Sequence, residues 1–331
     1  MKNFDYYLPS TEAEALEVLK KEKGARLKAG GTDLLPLLKH HLTAPSAIVN
    51  LRNVKDLSGI RTTSSGALWI GATTTLDVVA EHPDFKRVAT AVAEAAAQTA
   101  TPLVRSTATV GGNLCQRPRC WYFRHPDYAC SKKGGDTCFA AEGENKYHAI
   151  FENVTCNIVH PSNLAPALWA MDAVVHVTGG KGKAEIPIAD FWVLPEEDIR
   201  TEIIIDSDQL IVGVSFKPTG PGSGSWYMEA REKQSYDWAL TACAARLDMS
   251  GGTVQDARII AAAVAPVPLR RMEAEAVLKG KAFTEELAWK AADAALSGAT
   301  PLRDNGYKVR LLRSTVAHTL MEAANRAKGA K

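Results

Sequence analysis

A two-domain α+β fold is what this 331-residue sequence predicts. Three observations lead there. A chain of this length buries a sizeable core, and two domains are the usual outcome. Short β-branched runs alternate with helical, amphipathic runs in both halves, as in Leu210-Ile211-Val212-Gly213-Val214-Ser215-Phe216, which suits a sheet backed by helices. Composition shifts at Gly179-Gly180-Lys181-Gly182, which divides residues 1–178 from a smaller unit at 179–331. The 46% hydrophobic and 23% charged residues are ordinary for a globular protein. A net charge of +2 gives no reason to expect nucleic acid or an anionic membrane as partner. No run approaches the roughly 18 apolar residues of a membrane span. Met1-Lys2-Asn3-Phe4-Asp5-Tyr6-Tyr7 lacks the apolar region and cleavage site of a signal peptide. The expected location is the cytoplasm, with co-export beside a signal-bearing partner to the periplasm as the alternative.

In chain order, residues 11–23 predict a helix with Thr11 as N-cap, Glu14 at the capping-box position and Ala15, Leu16 and Leu19 facing a core. A short strand follows at Ala25-Arg26-Leu27-Lys28-Ala29, then Gly30-Gly31-Thr32-Asp33 and a helix from Leu34 to His41. Strand, glycine pair and helix start leave backbone N–H groups free beside a helix dipole, an arrangement that suits a diphosphate. Residues 47–51 and 67–72 read as strands, and residues 75–82 and 84–98 as helices. Residues 104–110 look extended and run into a second glycine pair, Gly111-Gly112, followed by Asn113. Two such turns in one domain can grip an extended ligand from two sides. No strand-borne G-x-G-x-x-G and no G-x-x-x-x-G-K-[ST] occurs, so neither a Rossmann fingerprint nor a P-loop supplies the site. Gly220-Pro221-Gly222-Ser223-Gly224 reads as a flexible linker.

Five of the six cysteines lie between Thr109 and Cys156, in a stretch at 115–156 with little regular pattern. Loops this long inside a compact domain are usually functional. The spacing Cys120-x9-Cys130-x7-Cys138-x17-Cys156 lacks the paired knuckles of a zinc ribbon and suits a cluster wrapped by a loop. Lys132, Lys133, Arg117 and Arg119 would offset part of the charge of four thiolates. Cys115 is the odd one out, and Cys243, in a run read as helical, is an ordinary core thiol. His160, ahead of a turn at Pro161-Ser162 and a helix at 164–171, reads as a structural hydrogen-bonder.

Beyond residue 172, strands are expected at 173–177, 185–188, 209–216, 224–231 and 257–264. Helices are expected at 238–247, 271–278, 284–294 and 305–325. The last is amphipathic with a basic end, which a solvated face explains.

The two glycine turns, His160-Pro161-Ser162-Asn163, the cysteine loop, Ile70-Gly71-Ala72 and Ile188-Ala189-Asp190-Phe191 occur in one order. Together they resemble the FAD-binding medium subunit of molybdenum hydroxylases, the xanthine dehydrogenase and carbon monoxide dehydrogenase flavoprotein family. The resemblance implies a two-subdomain FAD-binding domain of the PCMH type, followed by a smaller α/β sandwich-like domain of the carbon monoxide dehydrogenase flavoprotein C-terminal type. It also implies that FAD is held by Lys28, Ala29, Gly30, Gly31, Thr32, Asp33 and Leu34, and by Thr109, Val110, Gly111, Gly112 and Asn113. Thr99 would lie near the adenine or flavin, Asn163 near the ribityl chain and Ile211 near the isoalloxazine. A subset of the family, the middle subunits of 4-hydroxybenzoyl-CoA reductase and of a bacterial aromatic aldehyde oxidoreductase, carries a [4Fe–4S] cluster in such a loop. For this chain the resemblance names Cys120, Cys130, Cys138 and Cys156 as its ligands. Two departures stand out. The family often has Asp where this chain has Asn163, and a basic residue after the Tyr227 strand is replaced by Met228-Glu229.

The resemblance therefore implies an oxidoreductase subunit that transfers electrons and performs no substrate chemistry itself. A [2Fe–2S] small subunit and a molybdenum cofactor large subunit would complete an enzyme for an aromatic aldehyde, aromatic CoA thioester or N-heterocycle. Ferredoxin or NAD would be the external electron partner. No C-x4-C-x2-C run is present, so [2Fe–2S] centres belong elsewhere. Two other classes compete: a stand-alone FAD-dependent NAD(P)H or ferredoxin oxidoreductase, and a zinc-bearing docking scaffold without flavin.

Overall fold

A computed structural model describes residues 1–329; the last two positions of the expected second domain lie outside it. The chain begins with β1 (Asp5–Tyr7), α1 (Glu12–Lys21), β2 (Arg26–Lys28), α2 (Leu34–Lys39) and β3 (Ala47–Asn50). As expected, Thr11 caps α1 by accepting from the Glu14 N–H at 3.2 Å, while the Glu14 carboxylate accepts from the Ser10 N–H at 2.7 Å. The three strands form a parallel sheet in the order β1-β3-β2. Parallel strands put their C-terminal ends on one edge, so the chain leaving β2 at Gly30 and the chain leaving β3 at Leu51 emerge side by side.

Next come β4 (Ile60–Thr62), β5 (Leu68–Gly71), α3 (Leu76–Glu81), α4 (Pro83–Val88) and α5 (Thr90–Gln98). The single helix expected at 84–98 is two, broken at Ala89, whose ψ of 47° is not helical. Residues 104–110, expected to be extended, instead end α6 (Pro102–Arg105), whose first turn is set by Pro102 and capped by Thr101, and then bend into α7 (Val110–Leu114). After α8 (Trp121–Arg124) comes α9 (Leu164–Ala170), then β6 (Val174–Gly179), β7 (Gly182–Pro187) and β8 (Gln209–Phe216). These build an antiparallel sheet in the order β4-β5-β8-β6-β7. Gly179 to Gly182, expected as a domain boundary, is the turn of the β6–β7 hairpin, and β8, which follows it, pairs with β5 and β6, which precede it.

The remaining chain forms β9 (Ser223–Ala230), β10 (Thr241–Ser250), β11 (Thr253–Ala262), β12 (Leu269–Arg270), α10 (Met272–Leu278), α11 (Glu285–Ala294) and α12 (Tyr307–Gly329). The four strands are antiparallel in the order β12-β11-β10-β9. Residues 238–247, expected as a helix, contribute most of β10. Ala242 and Ala244 face the core built on α3, α5 and α9, while Cys243, Ala245 and Leu247 face the core under α10–α12. A strand buried on both faces reads as a continuous apolar run, and alanine gives it no β signature. Gly224 is no linker residue: a Cβ there would lie 2.2 Å from the Ala323 carbonyl oxygen, so glycine lets α12 lie directly on β9. No helix among the described residues is long and apolar enough to cross a membrane.

Candidate functional site

The first glycine turn sits at the C-terminal edge of the parallel sheet. Gly31 has φ +77°, which favours glycine, and a Cβ on Gly30 would lie 2.0 Å from the Thr107 carbonyl oxygen. Two backbones therefore touch here, and the turn is bent. The N–H groups of Gly30, Gly31, Thr32 and Asp33 have no hydrogen-bond partner among the described residues. Asp33 does not cap α2. Its carboxylate accepts from the Arg117 N–H and the Arg124 guanidinium, both at 2.8 Å, and pairs with Arg119.

The second glycine turn is built differently. Thr109 caps α7 through its side chain, which accepts from the Gly112 N–H at 3.2 Å. The Val110 and Gly111 N–H groups donate to the Thr74 and Ala72 carbonyls at 3.0 and 2.8 Å. Its donors are thus engaged in the fold, and the free N–H groups belong to the first turn.

Two open clefts flank this junction. One, of about 950 Å³, is lined by Lys28, Ala29, Gly30 and Thr109; the other, of about 1090 Å³, by Thr32, Asp33, Thr99, Gly112, Asn113 and Asn163. Gly31 forms the bend between them, and Leu34 is half-buried in the first turn of α2. Val110 and Gly111 are buried beneath the junction and line neither cleft. Ile211 is also absent from both: it is buried in β8, paired with Val177, inside the largest core. Residues the sequence did not assign to a flavin site complete the walls. Arg52, Lys55, Ser106 and Thr107 line the first cleft, and Gln116, Arg119, Tyr236 and Trp238 the second. For Arg52 and Lys55 a signal existed, since they directly follow β3 and parallel strands present the residues after their C-terminal ends on one edge. Tyr236 and Trp238 come from a connection distant in sequence and carried none.

At the far wall, Asn163 and Glu229 meet. The Asn163 Nδ2 donates to the Glu229 carboxylate at 2.7 Å, the Tyr227 hydroxyl donates to it at 2.7 Å, and Arg231 pairs with it at 3.1 Å. Burial pushes the Glu229 carboxyl upward, against the pull of Tyr227, Arg231 and Asn163. The two departures from the family pattern are therefore direct partners. His160 is buried nearby. Its Nδ1 accepts from the Ser162 N–H at 3.3 Å, and its Nε2 has no partner among the described residues. Burial first, and Lys132 second, pull its pKa down to about 3.

The cysteine loop closes on itself. Cys120, Cys130, Cys138 and Cys156 all line one small cavity, together with Tyr122, Phe123, Phe139, His148 and Lys132. Cys115 is exposed and outside it; Cys243 is buried in β10, where burial pushes its thiol up to about 12. No three His, Cys, Asp or Glu side chains among the described residues converge on a single-ion position. The thiols do sense one another. A hydrogen bond from Cys156 pulls Cys138 down to about 5 and pushes Cys156 up, while burial pushes Cys120 up to about 11.

Of the cations expected to offset the thiolates, only Lys132 lines the cavity, buried and paired with Glu202 at 2.7 Å. Lys133 donates to the His125 carbonyl, Arg117 pairs with Glu202 at 2.7 Å, and Arg119 is committed to Asp33. These arginines tie the cysteine loop to the glycine turn instead. Arg119, next to Cys120 in the chain, reaches Asp33 and lies 4.3 Å over the Trp238 ring.

With a glycine-turn cleft and a three-sheet frame established, the comparisons define the class. Residues 2–216 match the FAD binding domain in molybdopterin dehydrogenase, and residues 225–327 the CO dehydrogenase flavoprotein C-terminal domain. The chain belongs to this family, as the FAD-binding subunit of a molybdenum hydroxylase. It is 32% identical over 326 residues to the aldehyde oxidoreductase FAD-binding subunit PaoB of Escherichia coli (strain K12), covering 98% of this chain and 99% of that one. It is 29% identical over 304 residues to the carbon monoxide dehydrogenase medium chain of Hydrogenophaga pseudoflava, covering 91% and 88%. A structure of carbon monoxide dehydrogenase from Hydrogenophaga pseudoflava lacking the Mo-pyranopterin moiety superposes with a TM-score of 0.78 at 27% identity, covering 98% of each chain.

Proposed function

We propose that this subunit carries a [4Fe–4S] cluster beside its FAD and moves electrons between a molybdenum subunit and an external partner. The observation that carries the proposal is that Cys120, Cys130, Cys138 and Cys156 line one cavity, joined to the flavin cleft through Arg119 and Asp33. The donor set fits. Four thiols line one cavity, and two of their sulfurs each have a buried side-chain nitrogen at 3.2 Å. FAD, when bound, supplies two-electron and one-electron chemistry, and the cluster one-electron transfer only.

The chain's own residues bind and orient. In this reading the N–H groups of Gly30, Gly31, Thr32 and Asp33 receive the diphosphate, and Lys28, Arg52 and Lys55 supply positive charge beside it. Thr109 and the buried Val110-Gly111 pair hold the opposite wall, with Gly112 and Asn113 facing the ligand. Thr99 and Asn163 line the flavin end, while Ile211 acts only through packing. We assign the two domains to residues 1–216 and 223–329, since the sheet ending in β8 and the sheet starting in β9 are separate.

The identity to the aldehyde oxidoreductase subunit favours an aldehyde as the substrate of the whole enzyme, in this reading an aromatic one. Its chemistry would take place on a molybdenum cofactor large subunit, with a [2Fe–2S] small subunit between. Ferredoxin or NAD would then exchange electrons with this chain. Free thiols at the cluster site suit the cytoplasm.

Replacing Cys130 or Cys138 by Ser should remove iron and leave flavin occupancy unchanged, measured by metal and flavin analysis of the anaerobically purified chain. Full iron retention in both variants would refute the ligand assignment.

A further inference from the structure

Two side chains point their nitrogen donors at cysteine sulfur without being ligands. The His148 Nε2 lies 3.2 Å from the Cys120 sulfur, and the Asn157 Nδ2 lies 3.2 Å from the Cys138 sulfur. Both residues are almost fully buried, at 3% and 2% exposure. Each leaves its other polar atom, His148 Nδ1 and Asn157 Oδ1, without a partner among the described residues. For a buried side chain that is a cost, and here both residues bear it with one end turned to sulfur. A thiolate ligand offers only lone pairs, so the atom facing it must carry the hydrogen. His148 therefore holds its proton on Nε2, and the Asn157 amide turns its NH2 to Cys138.

Both residues are anchored through their backbones, and His148 through its ring as well. The His148 carbonyl accepts from Asn305 Nδ2 and Lys308 Nζ, both at 3.1 Å, and its ring meets the Trp121 ring at 5.4 Å. The Asn157 carbonyl accepts from the Ala149 N–H at 2.9 Å. The second domain thus helps fix a donor aimed at the cysteine cavity.

We propose that His148 and Asn157 are positioning residues that raise the reduction potential of the cluster by donating hydrogen bonds to the sulfurs of Cys120 and Cys138. The inference rests on the cluster reading above. An N–H···S bond draws negative charge off the sulfur, and a reduced cluster carries one more negative charge than an oxidised one. The bond is stronger in the reduced state and favours it. Electrons are then held at the cluster more tightly than four bare thiolates would hold them, which biases their distribution with the flavin.

The test is a potentiometric titration of the full chain, FAD retained, followed by electron paramagnetic resonance. His148→Phe keeps a ring and loses the donor; Asn157→Leu keeps the shape and loses the donor; His148→Gln restores an N–H. With iron content unchanged, each donor-free variant should make one-electron reduction about tenfold less favourable, a shift of about 59 mV to more negative potential. His148→Gln should recover part of it. Unchanged midpoints in His148→Phe and Asn157→Leu at full iron content would overturn the inference while leaving the cluster intact. Pulsed resonance on the wild-type chain with isotope-labelled histidine needs no variant: nitrogen coupling to the reduced cluster is expected, and its absence would also overturn the inference. A wild-type chain without iron would strike the cluster reading itself and take this inference with it.

Discussion

Gly30 tolerates no side chain. A Cβ there would overlap the Thr107 carbonyl, and the two backbones it separates form the junction between the two clefts. Gly30→Ala should therefore lose most bound FAD, read by absorbance after gel filtration, while Gly306→Ala, where a Cβ meets nothing within 4 Å, should retain it. Equal occupancy in the two variants would contradict the diphosphate role of the turn. His160 makes a pH prediction. Burial pulls its folded pKa down to about 3, well below the roughly 6.5 of the unfolded chain. The unfolded state then binds the proton first, so the stability tied to neutral His160 is complete above about pH 6.5 and is lost as pH falls toward 3. His160→Phe should flatten that acid limb in denaturant titrations taken between pH 7 and pH 4; an unaltered slope would rule His160 out as its source. At this scale the sequence was informative where the backbone dictates the residue, as at Gly30 and Gly31. It was silent where a partner arrives from elsewhere in the chain. Nothing local told that Asp33 would face three arginines, or that Asn163 and Glu229, 66 positions apart, would share a hydrogen bond.

Among the elements, those with a clear period and a cap were legible: α1, capped by Thr11; α11, capped by Thr284; and β8, with its alternating pattern. The failures share a cause. β10 is buried on both faces and rich in alanine, so it lacks the alternation that marks a half-buried strand. Residues 102–114 alternate between short helical turns and bends because Thr101 and Thr109 each cap a helix of five residues or fewer. Sequence periods do not register in such short elements. The cap at Thr109 matters beyond α7, since it orders the wall opposite the free N–H groups. Thr109→Val should cost about 1 kcal/mol of stability by loss of the cap. It should also weaken FAD retention more than Thr284→Val, which removes a comparable cap from α11, far from the cleft. Equal retention would mean that the Thr109 cap serves stability alone.

For the whole molecule, the second domain serves as a clamp as well as a shield. Lys308, fully buried on α12, donates to the carbonyls of Tyr147, His148 and Ala263, and Asn305 donates to those of His148 and Ala149. These bonds hold the last part of the cysteine loop against the four-stranded sheet. Lys308→Met should cost roughly 3 kcal/mol, because three buried carbonyls lose their donor. Iron should be lost on dilution before flavin, since the flavin cleft lies at the other end of the loop. Simultaneous loss of both would show general unfolding instead. The cysteine spacing suggested a wrapped cluster, and Arg119 and Asp33 explain how such a loop sits beside a dinucleotide cleft without intervening secondary structure. The most direct test of the two-cofactor account is anaerobic purification of the full chain with iron, sulfide, zinc and flavin counted per polypeptide. The account predicts about four irons, about four sulfides and about one FAD. One FAD with zinc, or with no metal in well-folded protein, would contradict it.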